Sequence, residues 1–229
     1  FKDTDWEIIV IDNCSKDSRV NIFLIETYTS ITESRKEGEL YPHCVVTQEI
    51  YSNLGIAAAY NHLLRQAKGD YICFLSNDLL VGDNWLFDML HYNQQVERSG
   101  LTSIHHSGEK GLFQYALSST DSMVSVWKPT NSVTNGISLI NRHALEAVGG
   151  FDESLGLYGY ERKQYAERLH IMGFNNYYIP DQYSVHLGQD MNDVSEYKQF
   201  KDKELQLNFN AYKNSLSEMK KSNKYKLPI

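Results

Sequence analysis

The stretch Gly69–Asp78, reading GDYICFLSND, constrains the fold of this chain more than any other. Its apolar run Tyr71–Leu75 is short, rich in β-forming residues and flanked by polar residues. This pattern predicts a strand buried on both faces in the middle of an α/β sheet. The small polar residues Ser76, Asn77 and Asp78 follow directly, where ligands of open α/β sheets bind. Asp78 therefore fits two roles, a ligand for a hard cation beside a phosphate or a residue that fixes a turn.

Two longer segments resemble a known family. Residues 53–78 (NLGIAAAYNHLLRQAKGDYICFLSND) resemble the nucleotide-binding half of family 2 glycosyltransferases with the GT-A fold, where NxGxxxxxNxxxxxAxGDYxxFLDxD ends in the DxD motif. The matching positions are Asn53, Gly55, Asn61, Ala67, Gly69, Asp70, Leu75 and Asp78. Residues 135–153 (NGISLINRHALEAVGGFDE) resemble the acceptor-side segment of the same family. Together they extend the resemblance over roughly residues 6 to 188.

The resemblance implies an α/β fold of the GT-A type. This is a Rossmann-like, mixed and mainly parallel sheet flanked by helices, with a C-terminal helical tail. We expect residues 1–190 to form the glycosyltransferase-like domain and residues 191–229 to form the tail. Family members usually open with an earlier strand and helix, and we expect that first strand to be missing, because the sequence begins just before what resembles the second strand.

Hydrophobic patterns predict the remaining elements. The predicted strands are Trp6–Ile11, Cys44–Gln48, Thr134–Ile140, Asn176–Ile179 and Tyr183–His186. A helix is predicted from Asn53 to Lys68, a second over Asp83–Gln95 with an apolar stripe of Trp85, Leu86, Met89 and Leu90, and a third over Asn141–Val148. A fourth has Glu161 in its first turn, ends at Gly173 and is expected to carry an apolar stripe of Tyr165, Leu169 and Met172. Residues 101–129, rich in Ser, Gly and His, are expected to form a loop and an outer strand. The Lys-rich segment 198–226 predicts a helix with a frayed end, for which a solvated position is favoured over packing on the domain or on a partner.

The resemblance also implies a nucleotide site and an acceptor side. Asp12 and Asn13, in the polar turn after the first predicted strand, match residues that contact the base and ribose in the family. A plain strand-to-helix turn is the alternative interpretation. The predicted nucleotide site is completed by Asn53, Asn61 and Asn77, and the predicted acceptor side by Asn135, Gly136 and Arg162.

Asp78 and His186 are the predicted ligands of a divalent metal, Mn²⁺ or Mg²⁺. A divalent ion that bridges two phosphates neutralises the charge of a leaving diphosphate. The family often has a histidine at a place matching His186, near the metal or the diphosphate. A neutral histidine that is hydrogen-bonded at a strand end is the alternative.

Glu161 is the predicted catalytic base. In inverting members of the family the base comes from a Glu-Asp pair that opens a late helix, and the aligned pair here is Glu161-Arg162. Arginine stays protonated and cannot act as a base. We expect the helix dipole and Arg162 to favour the ionised form of Glu161. The alternative is that Glu161 is a first-turn acid that only stabilises the helix.

These features predict an inverting, metal-dependent glycosyltransferase that serves polysaccharide biosynthesis. Its donor would be a nucleotide-diphosphate sugar, a UDP-sugar by preference, and its acceptor a hydroxyl of a saccharide or another molecule. The alternative is a degenerate GT-A domain that binds a sugar nucleotide or a protein partner without turnover. The absent first strand, Ser76 in place of the first DxD acid, and Arg162 favour that alternative.

Composition limits the remaining possibilities. A net charge of −7 argues against a general nucleic-acid binder. The three unevenly spaced cysteines indicate reduced thiols in a cytoplasmic protein. No apolar run of the sequence is long enough to span a bilayer. Weak contact of the basic tail with an anionic membrane is the alternative to a solvated helix.

Overall fold

In the computed structural model of this 229-residue chain, the described residues are 6–26 except 18, 21 and 25, and then 44–49, 52–107, 128–129, 136–187 and 195–229. The strands are β1 (Glu7–Asp12), β2 (Cys44–Glu49), β3 (Tyr71–Leu75), β4 (Leu79–Val81), β5 (Ser99–Ser107), β6 (Lys128–Pro129), β7 (Ile137–Asn141) and β8 (Asn175–His186). The helices are α1 (Ile56–Gln66), α2 (Trp85–Gln95), α3 (Arg142–Val148), α4 (Glu161–Ile171) and α5 (Glu196–Ser222), with a 3₁₀ turn at Glu153–Leu155. Most of the predicted loop at 101–129 and the predicted site residue Asn135 lie outside the described residues.

The strands form two sheets. β1 and β2 pair in parallel, and a second sheet has the order β3-β7-β5-β8-β4, with β6 also paired to β8. The predicted mixed sheet with flanking helices is confirmed. In the described residues, however, parallel pairing in the larger sheet is confined to β5 and β8, so the expectation of a mainly parallel sheet is corrected. β4 reverses direction because only three residues separate it from β3, and a parallel crossover needs a dozen or more.

The positions of β3 and β5 within the sheet differ most from the prediction. β3 has the predicted bounds, but in the described part of the chain it pairs with β7 alone, and Leu75 is 51% exposed. Among the described residues β3 is therefore at the edge of its sheet and not in the middle, although apolar clusters cover both of its faces, at Phe74 and at Cys73. β5 lies between β7 and β8 and is central, where an outer strand was expected. Its polar composition is accommodated because Ser99 and Thr102 hydrogen-bond to the Tyr177 hydroxyl in the interior.

β8 is one continuous strand, where two short strands around Pro180 were predicted. Its pairing with β5 shifts register between the Ser103–Tyr178 and His105–Tyr183 pairs. Pro180 lies within this irregularity, and a proline that lacks an N–H is tolerated where the regular ladder is interrupted.

Apolar side chains cover both faces of the larger sheet. Helices α1, α3 and α4 pack on one face, in a cluster that includes Phe74 of β3 and Ile140 of β7. Helix α2 packs on the other face, against Cys73 and Leu139 of the same strands. The predicted stripe of α2 is confirmed as part of this second cluster: Trp85, Leu86, Met89 and Leu90.

Helix α5 is packed against the domain, so the expectation of a frayed, solvated helix is corrected. Its buried residues recur at helical spacing and contact the 3₁₀ turn and α4: Asn208, Tyr212, Leu216 and Met219. Ser195 caps the helix by accepting the Lys198 N–H. None of the helices in the described ranges combines the length and the apolar character needed to cross a membrane.

Arg168 of α4 is fully buried and hydrogen-bonds to backbone carbonyls near the end of α3 and after α5. It donates to the carbonyls of Val148, Gly150 and Tyr225 and to the side chain of Gln164. Burial lowers the pKa of the guanidinium to about 10, which leaves it charged at neutral pH. Beside it, Gly149 has a φ of 72°, and a Cβ there would collide with the Leu227 carbonyl.

Replacing Arg168 with methionine should lower the free energy of unfolding by at least about 3 kcal/mol, because buried carbonyls lose their donors. Arg98→Met is the matched control, since the exposed Arg98 donates to the carbonyls of Met172 and Gly173. We expect it to cost about 1 kcal/mol or less. Urea unfolding measures both variants, and equal losses would contradict the role given to Arg168.

Candidate functional site

The turn that follows β3 is fixed between the ends of two other strands. The Ser76 N–H donates to the Gly136 carbonyl at 2.8 Å, and the Leu187 N–H donates to the Asp78 carbonyl at 2.8 Å. Leu79 is the register partner of His186 in the β4–β8 pair. These backbone bonds bring the predicted residues Asp78, Gly136 and His186 to one edge of the sheet, although the side chain of His186 lies outside the description.

Gly136 permits this close approach. A Cβ at this position would lie 2.9 Å from a methyl of Leu79 and 3.0 Å from the hydroxyl oxygen of Ser76. Contacts below 3.0 Å require a neighbour to move. Gly136, which was predicted to lie on the acceptor side, therefore also has a structural function: it allows the turn after β3 to pack closely against the start of β7.

Asn13 and Asn53 join the end of β1 to the start of α1. The Asn13 amide donates to the Asn53 side chain at 3.1 Å and to the Gly55 carbonyl at 3.3 Å, and its oxygen accepts the Leu54 N–H. Asp12 is 6% exposed and accepts the Ser15 N–H at 3.0 Å, which is the geometry of a turn residue. The structure thus brings the predicted nucleotide residues Asp12, Asn13 and Asn53 together.

Asn61 lies apart from that group. It is 2% exposed, its oxygen accepts the Phe151 N–H at 2.7 Å, and its amide donates to the Phe151 carbonyl and to Glu153. These bonds join α1 to the loop after α3. We therefore assign Asn61 a structural role in place of the predicted nucleotide contact. Asn77, in the turn after β3, is exposed.

Glu161 begins α4 and is 5% exposed. Its Oε1 accepts the Gly159 N–H at 2.6 Å. Burial raises the pKa of this carboxyl and outweighs the opposing effects of backbone N–H groups and of the Arg162 charge. The backbone N–H groups and Arg162 do favour the ionised form, as expected, but desolvation is the larger effect and the net shift of the pKa is upward.

Arg162 contacts Tyr60 of α1. Its guanidinium donates to the Tyr60 hydroxyl and lies 5.2 Å from the centre of the Tyr60 ring. Its Nη1 is buried and has no hydrogen-bond partner among the described residues. Burial raises the pKa of the Cys73 thiol to about 12, and the charge of Arg162 partly offsets that increase.

Tyr158 is a site residue to which sequence reasoning gave no role. Burial raises the pKa of its phenol, and the charges of Glu161 and Asp78 add to the increase, as do Tyr197 and Asp202 of α5. Tyr158 therefore lies within electrostatic range of both the predicted metal ligand and the predicted base. The sequence gives no signal of this role, because Tyr158 is one of 16 tyrosines and belongs to no motif that distinguishes it from the others.

Metal donors in this region are few. The part of the chain that the structure describes has no group of three or more His, Cys, Asp or Glu side chains placed to hold a metal ion. One carboxylate, Asp78, stands at the turn with the His186 backbone beside it. This set fits a hard cation that obtains its other ligands from phosphate oxygens and water, as Mg²⁺ typically does.

Comparison of the sequence with protein families gives a match over residues 2–149 to the family described as Glycosyl transferase family 2. A relative in Bacillus subtilis (strain 168), described as a teichuronic acid biosynthesis glycosyltransferase, TuaG, is 35% identical over 96 residues. The match covers 41% of this chain and 32% of the relative. The chain thus spans about a third of the length of that relative.

Comparison with solved structures identifies the same fold. A crystal structure of GalNAc-T7 with UDP, GalNAc and Mn²⁺ has a TM-score of 0.63 and 14% identity, over 81% of this chain and 38% of that protein. A crystal structure of S. aureus TarS in complex with UDP-GlcNAc has a TM-score of 0.56 and 15% identity, over 86% of this chain and 54% of the other. At these identities the likeness establishes the GT-A fold alone.

The buried carboxyl of Glu161 predicts a pH dependence of stability. Its folded-state pKa is raised, so the stability it contributes is complete below the ordinary carboxyl pKa and is lost as the pH rises through the raised value. Glu161→Gln removes this titration. The free energy of unfolding of the variant, measured in urea, should therefore increase relative to that of the parent as the pH rises through this window.

The control is Glu146→Gln, which removes one negative charge at an exposed position of α3. A constant difference in the free energy of unfolding between Glu161→Gln and the parent across the same pH range would show that burial does not control this carboxyl.

Proposed function

Because this chain belongs to glycosyl transferase family 2, we propose that it transfers a sugar, with inversion, from a nucleotide-diphosphate sugar to an acceptor hydroxyl. The observation that carries the proposal is that the loop before Glu161 meets the predicted nucleotide residues: the Ile56 N–H donates to the Leu157 carbonyl at 3.2 Å, and the Asn13 amide donates to the Gly55 carbonyl at 3.3 Å. A cleft with a metal-binding carboxylate and a buried base is what such a transfer requires. The complexes of GalNAc-T7 with UDP and of TarS with UDP-GlcNAc support a UDP-sugar as the preferred donor.

The nucleotide would lie between the end of β1 and the start of α1. The Asp12 carboxylate, whose Oδ1 accepts the Ser15 N–H, would accept hydrogen bonds from a pyrimidine N–H or from ribose hydroxyls through its other oxygen. Asn13 and Asn53, which hydrogen-bond to each other, offer further amide groups at the same sheet edge. The exposed Asn77 would contact the nucleotide from the turn after β3.

The diphosphate would lie at the turn after β3, held by a divalent metal with Asp78 and His186 as protein ligands. Mn²⁺ is the favoured ion, as in the GalNAc-T7 complex, and Mg²⁺ is the second candidate. When bound, the ion would supply positive charge against the two phosphates as negative charge develops on them. Asp78 would contribute a hard oxygen ligand, and His186 would contribute an imidazole nitrogen.

Glu161 would act as the base. The acceptor hydroxyl loses its proton to the carboxylate as its oxygen forms a bond with the anomeric carbon of the donor. The bond from that carbon to the nucleotide diphosphate breaks on the opposite face, and the diphosphate leaves with the electron pair. Burial raises the pKa of Glu161, which makes the carboxylate a stronger proton acceptor. Arg162, on the acceptor side, supplies a fixed positive charge to this region.

We also propose a role in polysaccharide biosynthesis, since the relative in Bacillus subtilis is described as acting in the biosynthesis of teichuronic acid. The acceptor would then be a saccharide chain in the cytoplasm, where the three cysteines stay reduced. Residues 1–190 would form the transferase domain and residues 191–229 its C-terminal addition.

The alternative function is binding of a sugar nucleotide or protein partner without turnover. Two observations favour it: Arg162 occupies the second position of the expected acidic pair, and Oε1 of Glu161 is engaged by the Gly159 N–H. The experiment on Glu161 below separates binding from turnover.

Replacing Asp78 with asparagine should weaken UDP binding in the presence of Mn²⁺ by at least about tenfold, because the amide loses the negative charge that attracts the cation. UDP affinity without metal should change little. Calorimetry with UDP, with and without Mn²⁺, measures both values. Asp70→Asn, at the opposite end of β3, is the charge-matched control. Parental Mn²⁺-dependent affinity in Asp78→Asn would remove Asp78 from the metal site.

The central experiment compares the parent with Glu161→Gln, using UDP-, GDP- and dTDP-sugars with Mn²⁺ and measuring release of the nucleotide diphosphate and transfer of the sugar. The variant keeps the shape of the side chain but loses the proton acceptor. Donor affinity should be unchanged and transfer should fall at least ~10²-fold. Transfer within a few-fold of the parent would exclude Glu161 as the base, and donor binding by a parent that turns over no donor would favour the binding function.

A further inference from the structure

A basic groove lies where α4 meets the C-terminal half of α5, and the function proposed above does not use it. We define it as the α4–α5 groove; it has a volume of about 680 Å³. Tyr212 and Leu216 are its buried residues, and Phe209 is a partly exposed ring beside them. Four lysines complete the lining: Lys163, Lys213, Lys220 and Lys221.

The excess of positive charge on α5 lies in its C-terminal half, which lines the groove, and not along the whole helix. Residues 196–208 of α5 hold three lysines and three acidic residues, and one pair of them, Lys198 and Asp202, forms an ion pair at 2.8 Å. Residues 209–222 hold three lysines and one acidic residue, and all three lysines line the groove. The groove has no carboxylate in its lining, in a chain whose net charge is −7.

Two of the ammonium groups are held in place by aromatic rings. The Lys213 Nζ lies 4.1 Å from the centre of the Phe209 ring, and the Lys163 Nζ lies 5.3 Å from the centre of the Tyr212 ring. Such contacts reduce the freedom of a lysine side chain while leaving its charge available to an anion. Beneath them, the Tyr212 hydroxyl donates to Glu167 and fixes the ring.

The groove begins next to the candidate site. Tyr160, which precedes Glu161, stacks on Tyr212 with 4.9 Å between ring centres and lies 5.7 Å from Phe209. The Asn208 amide, one residue before Phe209, donates to the Tyr158 carbonyl at 2.9 Å. From Phe209 to Lys221 the helix rises by about 18 Å, at 1.5 Å per residue. A chain-like ligand in the groove would therefore have one end beside the predicted base.

We propose that the α4–α5 groove binds a saccharide chain that carries carboxylates, and that this chain is the acceptor; the assignment as acceptor rests on the transferase function proposed above. Pyranose rings offer apolar C–H faces to the exposed Phe209 ring, while carboxylates at the ring edges meet the four ammonium groups. A bilayer surface fits less well, because Phe209 is the one exposed apolar side chain among the described residues of the lining, and membrane binding at an interface scales with the apolar area that is buried.

The test is calorimetric binding of hexagalacturonate to the whole chain, without donor or metal. Maltohexaose serves as the neutral probe, and phosphatidylglycerol and phosphatidylcholine vesicles as the membrane probes. The parent should bind hexagalacturonate and not maltohexaose, and high salt should weaken the binding. Lys213→Gln with Lys220→Gln should weaken it about fivefold or more. Lys203→Gln with Lys224→Gln, which removes two exposed charges outside the groove, should leave the affinity within about twofold.

Three results would overturn the proposal. One is the absence of hexagalacturonate binding by the parent. The second is equal loss in the two double variants, which would indicate a general effect of net charge. The third is loss of phosphatidylglycerol binding in the groove variant without any saccharide binding, which would make the groove a membrane contact. Saccharide binding that persists in a chain with no transferase activity would instead contradict the transferase function alone.

Discussion

The buried guanidinium of Arg168 is the interaction on which the arrangement of the candidate site depends. A charge in the interior costs several kcal/mol unless each of its donors is satisfied. Arg168 meets that requirement with the carbonyls of Val148 and Gly150, where α3 runs into the following loop, and with that of Tyr225, after α5. The end of α3, the loop that follows and the segment after α5 are therefore fixed to α4. Glu161 lies two turns earlier on the helix that Arg168 anchors.

The fold could be predicted from the sequence where one segment carries its own signal. β3 has the bounds that its short apolar run predicts, and α3 begins after its Asn141 cap and ends at Gly149. The central position of β5 could not be predicted, because its serine and threonine hydroxyls find their partner, the Tyr177 hydroxyl, far along the chain. A polar strand becomes a core strand only when such a partner exists, and local sequence does not reveal it.

The same limit applies to the site. Asn13 and Asn61 have identical side chains and both match the family pattern, but the first joins two loops at a sheet edge and the second bonds to Phe151 in the interior. An amide binds a ligand or the backbone with the same groups, so only the tertiary neighbours distinguish the two roles. Tyr158 was missed for the opposite reason: its sequence position matches no motif, and although Glu161 is its neighbour in the sequence, the effect of the distant Asp78 on it arises from folding.

Arg162 acquires a different meaning once the structure is known. From the sequence, an arginine in place of an acid counts against catalysis, because it cannot accept a proton. In the structure, desolvation already raises the pKa of Glu161, and the negative diphosphate of an arriving donor would raise it further. A protonated carboxyl cannot accept a proton, so a nearby fixed positive charge favours the form that a base needs. Arg162 lowers the pKa of Glu161 in this way. The arginine that removes one candidate base therefore helps to maintain the other in its reactive form.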